Sequence, residues 1–499
     1  MAVARNNLPA LNTRVPRRLQ SRLFFLADQA RNMGIHMVSG KGSGKSRMLG
    51  RVIAWQDFIR GIPLVIFDPH GPTIDNFLDK LTRLPADAQR RLWPRVLYVD
   101  MSGSSGNVIP FPLYYRLGND NLFTISQRYL NVVRRLDPFL QTASVQGWNP
   151  LRVIGTNAGM VLAALGLQIT EAEDLVRHPE RWKDKLAEAV RRDPDAEPAA
   201  AFFTQELATL NTSDKHHRTE SFLNKVDLFK LDPTMKAMFG ANTPGINWQR
   251  VMDVPLAVLF DFRHELDLER MRFKLLWSFR YLMDFVQHRG HGRHKPISLV
   301  IDEITYVLSD PTLHGDLLAS DMNELINRLA RNYMIWLTLC HQEMYQVSES
   351  IQKSLLTMGT QIFGSTTDLR SAIEIGRRYF RYNPYLVKKT EAVYGMGTAI
   401  DYRTVEFTMD EQAYLHGVRF LDLPRYHFLV SPAFTEGTMP THLSPVSIEN
   451  LDPDIYTNEP LVAQARDLLM QRNGLPVSKV LAEIAARTPQ AIRTSRLAG

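Results

Sequence analysis

Ile35-His36-Met37-Val38, then Ser39-Gly40-Lys41-Gly42-Ser43-Gly44-Lys45-Ser46, then Arg47 and a periodic apolar stretch to about Arg60: this succession decides the fold. The first four residues read as a short buried strand and the last stretch as a helix. The glycine-rich loop between them lets backbone N–H groups converge where side chains would obstruct. The following helix N-terminus adds a partial positive charge on the same side. Strand, loop and helix closing on Gly44-Lys45-Ser46 make a phosphate-binding loop. Lys45 is expected on the β- and γ-phosphates of a nucleotide and Ser46 on its Mg2+. Ser39, Gly40, Lys41, Gly42, Ser43, Gly44 and Arg47 complete the expected lining. Ser39 stands where such loops usually begin with glycine, so the tightness of the first turn has to be accounted for.

Outward from the loop, apolar runs alternate with helical patterns. Pro63–Phe67 and Arg95–Val99 read as strands and the segment near 73–83 as a helix. This alternation predicts an α/β fold on a mostly parallel sheet. From about 120 to 245 the pattern is helical throughout. Strand signals return at Val254–Phe260, Ile297–Ile301, Ile335–Leu339 and Gln361–Phe363. The expected organisation is therefore a basic N-terminal segment (1–30), the first part of a nucleotide-binding domain (31–118) and a helical insertion (119–248). The second part of that domain (249–445) and a basic helical C-terminal tail (446–499) follow.

Hydrolysis needs more than a phosphate loop. Leu299-Val300-Ile301 runs into Asp302-Glu303, and carboxylates at the end of a buried strand are costly unless used. Asp302 is expected to join Ser46 around the metal. Glu303 is expected to activate the attacking water. Gln342, just past the strand Ile335–Leu339, is placed to sense the γ-phosphate or position the water. Arg328 and Arg331 precede that strand and are candidates to reach a neighbouring subunit's nucleotide, the other reading being surface arginines on a helix. A guanine-specific reading of Asp68-Pro69-His70-Gly71 with Asn224-Lys225-Val226-Asp227 fails. The second motif should end a strand, but it lies in helical sequence, and Asp302, Glu303 and Gln342 would be left without a role.

The totals agree with a globular protein: 44% hydrophobic and 22% charged residues over 499. One cysteine, Cys340, excludes a disulfide framework and a cysteine metal cluster. No apolar run is long enough for a membrane span, so a cytoplasmic protein is expected, held peripherally at the inner membrane only through a partner. The formal charge of +7 permits nucleic-acid contact without arguing for it. Arg377–Tyr382 with Lys388 and Lys389 mixes cations with aromatics, as a nucleic-acid grip or as the solvated face of a helix. His288–Lys295 reads as an exposed basic loop. Val477–Ala486 and Gln490–Arg496, broken at Thr488-Pro489, admit a helix–turn–helix unit or a helical packing tail.

In the loop, Ile66–Gly71, Val99-Asp100, Ile109–Leu113, Trp148–Arg152, Asn224–Pro233 leading to Phe239-Gly240, Asp302-Glu303, Arg331, Gln342 and Gly359–Phe363 before Asp368, the chain resembles the HerA–FtsK superfamily. It is closest to the conjugative coupling-protein branch associated with type IV secretion. The resemblance covers roughly residues 30–440. It implies a RecA-like ATPase using ATP and Mg2+, a homo-oligomer of hexameric form, nucleotide between subunits and DNA in a central channel. Asp68 and His70 would sit beside the nucleotide. The sequence departs from many coupling proteins in lacking an N-terminal membrane pair, which implies recruitment by a membrane partner of a secretion apparatus or a different DNA task. An ATP-driven DNA translocase is the leading expectation; a protein-secretion motor and a nucleotide-dependent assembly protein are the alternatives.

Overall fold

The structure is a computed structural model that describes residues 28–136, 145–290, 294–308, 317–380, 382–395, 398–431, 444–452 and 456–487. Eleven strands carry the argument: β1 (Ile35–Val38), β2 (Leu64–Asp68), β3 (Val96–Asp100), β4 (Ala257–Asp261), β5 (Ile297–Ile301), β6 (Ile335–His341), β7 (Thr360–Phe363), β8 (Val387–Gly395), β9 (Thr398–Glu406), β10 (His427–Ser431) and β11 (Ser444–Ser447). Nine of them form one sheet in the order β11-β10-β7-β1-β6-β5-β2-β4-β3. From β7 to β3 all neighbours are parallel. At the other edge β10 and β11 are antiparallel.

The central strands are near-continuous apolar runs because helices cover both faces, as a parallel sheet requires. Every residue of β1, β2, β4, β5, β6 and β7 is buried. The expected α/β fold, with its P-loop, mostly parallel sheet and helical insertion, is what the chain adopts. The insertion runs as consecutive helices from Leu122 to Gly240 between β3 and β4. β4 starts at Ala257 rather than Val254, because 251–255 complete a helix end and turn in which Val254 N–H still donates to Arg250 C=O.

Two features went unread in the sequence, and a third settles the tail as the packing helix that was one of its two readings. β8 and β9 form a separate antiparallel ribbon, β10 and β11 extend the sheet, and the C-terminal segment is fastened to the body. Helix Glu459–Asn473 lies along helix Pro72–Thr82 and β3. Leu475-Pro476 pairs with Asn107-Val108. Helix Val477–Arg487 packs on helix Pro233–Gly240 and buries Val480 and Ile484. It therefore packs against the insertion; the second half of the anticipated helix–turn–helix lies outside the described residues, as do the basic N-terminal segment up to 27 and positions 291–293 of the histidine tract. Among the described residues no single helix is long and apolar enough to cross a membrane.

Candidate functional site

The site forms where parallel strands end, since their loops emerge together there. β1 leads into Ser39, and the helical stretch 45–59 leaves from Lys45. Gly42 and Gly44 take φ of 82° and 106°, a left-handed backbone that other residues adopt only with strain. Gly40 packs on a neighbouring loop, and its N–H donates to Ser365 C=O at 2.7 Å. The serine in place of the usual first glycine has a local cause. Ser39 Oγ bonds Ser43 Oγ, and Ser43 Oγ donates to Gly40 C=O at 2.7 Å. A Cβ on Gly364 would collide with Ser39 Oγ. The glycine the loop lacks at 39 is supplied across the sheet at 364.

β5 delivers the two carboxylates to this loop. Lys45 Nζ lies 3.0 Å from Asp302 Oδ1 and 2.8 Å from Glu303 Oε2. Ser46 Oγ donates to Asp302 Oδ2 at 3.3 Å, and Thr73 Oγ1 donates to the same oxygen at 2.6 Å. Burial alone would pull the Lys45 ammonium down, but its acidic neighbours, Cys340, Asp302 and Glu303, outweigh that and hold it above the ordinary lysine value. The carboxylates carry this effect at neutral pH, because burial pushes the Cys340 thiol far up. Glu303 adopts φ 71°, an uncommon conformation for a non-glycine residue, of the kind that clusters at functional sites. Gln342 Nε2 donates to Glu303 Oε2 at 2.9 Å, and Thr305 Oγ1 to Oε1 at 3.1 Å. The structure thus gathers Lys45, Ser46, Asp302, Glu303 and Gln342 into one cluster.

Asp68 takes a structural post beside it. Its Oδ1 accepts from His70 and Gly71 N–H, and its Oδ2 from Thr73 and Ile74 N–H, which caps helix Pro72–Thr82. Burial, Asp302 and Asp261 push its carboxyl up to about 7, against those four bonds. His70 is exposed and meets Tyr306 edge-on. Beneath the loop, His36 of β1 and His341 of β6 share a 2.8 Å contact; His36 Nδ1 reaches Gln361 Oε1 at 2.6 Å, and His341 Nδ1 reaches Glu343 C=O at 2.8 Å. Three contacts would need three protons, and two neutral imidazoles hold two. A third proton would gain one charged hydrogen bond of about 1.5–3 kcal/mol at the cost of a fully buried cation, several kcal/mol. Burial prevails and pushes His36 down to about 3 and His341 to about 4.

Arg331 and Arg328 do not join this cluster. Arg331 is exposed and precedes the opposite end of β6, about 20 Å away by strand rise. Arg328 is exposed and paired with Glu324. Asn224 and Asp227 lie inside helix Thr212–Leu231, so no guanine-reading strand end exists there. Arg377 pairs with Asp410, Lys388 with Glu411 and Lys389 with Glu391, the solvated-face reading of that basic cluster. Sequence reading missed Thr73, because nothing in its spacing marks it as a partner of Asp302. It also missed Arg425 and Tyr426, whose N–H groups meet the loop's carbonyls (Arg425 Nε to Gly42 C=O, 3.0 Å; Tyr426 N–H to Ser43 C=O, 2.8 Å).

No protein-family model and no curated protein matches the chain. Among solved structures, the bacterial conjugative coupling protein TrwBΔN70, unbound monoclinic form, is similar at 14% identity, with 87% of this chain and 88% of that chain covered and a TM-score of 0.50. The plasmid coupling protein TrwB in complex with ADP and Mg2+ aligns at 12% identity over 87% and 89%, TM-score 0.48. VirB4 of Thermoanaerobacter pseudethanolicus aligns at 12% over 83% and 89%, TM-score 0.44. The chain shares the fold of the conjugative coupling protein, with the phosphate loop in place.

Proposed function

We propose that the chain is a Mg2+-dependent ATPase of conjugative transfer or type IV secretion that drives DNA through a homo-oligomeric, hexameric ring. The observation that carries the ATPase reading is the convergence of Lys45, Ser46, Asp302, Glu303 and Gln342 at one end of the parallel sheet. Loop N–H groups and Lys45 bind the β- and γ-phosphates. Glu303, held by Gln342 and Thr305, takes a proton from the attacking water. Asp302 Oδ1 is buried and faces the Lys45 ammonium at 3.0 Å, and with Ser46 Oγ it offers the hard oxygen donors that Mg2+ requires. Mg2+, when bound there, supplies charge neutralisation for the phosphates. The coupling-protein reading draws support from the likeness to TrwBΔN70, and Arg331 is assigned to a neighbouring subunit's nucleotide. A secretion-apparatus partner at the inner membrane would recruit the ring.

The test is ATP hydrolysis by the purified protein with and without double- and single-stranded DNA, at low and moderate salt. Salt-sensitive stimulation supports a DNA motor. Turnover indifferent to DNA removes DNA translocation and favours a protein-secretion motor.

A further inference from the structure

Resting on the nucleotide-binding reading above, we infer that Arg425, Tyr426 and Arg47 form the wall that takes the base-and-ribose end of the nucleotide. The Arg47 guanidinium lies 4.7 Å from the centre of the Tyr426 ring and that of Arg425 lies 4.8 Å from it. Neither arginine is paired with a carboxylate among the described residues, and Arg47 Nη1 is buried with no hydrogen-bond partner. Burial pulls Arg47 down from the ordinary arginine value, and neighbouring Arg425 and Arg51 add to that.

Two unpaired cations over one ring are a poor arrangement unless something else shares the site. The stack is also held at a cost. Tyr426 has φ 67°, a strain of about 1–3 kcal/mol for such a residue. Its N–H donates to Ser43 C=O, and its own carbonyl accepts from Ile448 N–H at 2.9 Å. The ring lies so close to the loop that a Cβ on Gly44 would stand 2.5 Å from it.

Position then decides which part of the ligand is met. Lys45 and the loop N–H groups answer the β- and γ-phosphates. Arg47 begins the next step along the helix, and Arg425-Tyr426 closes the loop on its carbonyl side. The flat guanidinium groups that lie over the buried Tyr426 ring match the face of a flat base. Their free N–H groups match acceptors on the ribose and base.

The experiment compares equilibrium binding of ADP and of inorganic tripolyphosphate to the wild-type protein and to Arg425→Ala and Arg425→Lys, with melting curves for each. Arg425→Ala should weaken ADP about tenfold and leave tripolyphosphate within about twofold. Arg425→Lys should not recover ADP binding, because it restores the charge without the plane. Equal weakening of both ligands would mean that Arg425 only braces the phosphate loop and would overturn the inference, as would unchanged ADP binding. If Arg425→Ala melts early, Arg47→Gln is read by the same ratio. A wild-type protein that binds neither ligand refutes the nucleotide reading itself, a different outcome from any of these.

Discussion

In the proposed mechanism the proton transfer rests on one side chain, Glu303. Gln342 and Thr305 fix both of its oxygens, so Glu303→Gln removes the base while keeping the shape. Turnover in a steady-state assay should fall by roughly 10²–10⁴-fold, with ATP binding retained. Lys45→Ala should instead abolish binding; turnover surviving in both variants refutes the site. Ser39 carries a second residue-level prediction. Gly364→Ala should lower stability by about 1–3 kcal/mol through overpacking against Ser39 Oγ. Adding Ser39→Gly should restore much of the loss, and additive melting-temperature shifts would disprove the pairing. Lys45, Ser46, Asp302, Glu303 and Gln342 were all legible in the sequence, because each sits next to a glycine loop or an apolar strand end. Thr73 and Gly364 were not, because their partners lie across the sheet.

Strands place the buried histidines. β1, β6 and β7 bring the side chains of His36, His341 and Gln361 into contact, with His36 level with Gln361 and His341 two residues further along its strand. In the unfolded chain these histidines take up a proton near pH 6.5; in the fold they resist it down to about 3 and 4. Between those limits the unfolded state binds more protons, so their contribution destabilises the fold as pH falls, by at most about 1.4 kcal/mol per histidine per pH unit. The nearby Asp68 carboxyl, raised to about 7, acts in the opposite sense over part of the same window. An NMR titration of the histidines is therefore decisive. Two of the 14 should stay neutral from pH 7.5 down to 5, and protonation of either above pH 6 contradicts the assignment. At this scale the sequence showed the central strands through their apolar runs. The edge strands β10 and β11 and the ribbon β8–β9 escaped it, because their side chains alternate or face solvent.

For the whole molecule, the C-terminal segment is part of the nucleotide-binding body. Buried Arg51, on the helix that follows the phosphate loop, is bound by Asp79 and by Asp452, and Arg466 meets Asp75, which also holds Arg263. The proposed ring gives Arg331 a role that its position within one subunit does not. If Arg331 completes a neighbour's site, a mixture of Arg331→Ala and Lys45→Ala subunits should hydrolyse ATP faster than either variant alone. Mixed interfaces in which the Arg331→Ala subunit supplies the lysine and the Lys45→Ala subunit the arginine are then complete. No gain on mixing, in subunits shown to co-assemble, would leave Arg331 a surface residue.

The sequence by itself determined the α/β class, the phosphate loop and the two carboxylates beside it, since these are written in short-range patterns: a glycine loop between strand and helix, and acids at the end of an apolar run. Only the tertiary structure decided that Gly364 makes room for Ser39, that Asp68 caps a helix, that the C-terminal helices dock on the sheet edge and insertion, and that Arg425 and Tyr426 close the loop. Those pairings join residues hundreds of positions apart. Nothing in the spacing of either partner encodes them; they exist once burial of the apolar strands has brought the chain's distant parts together.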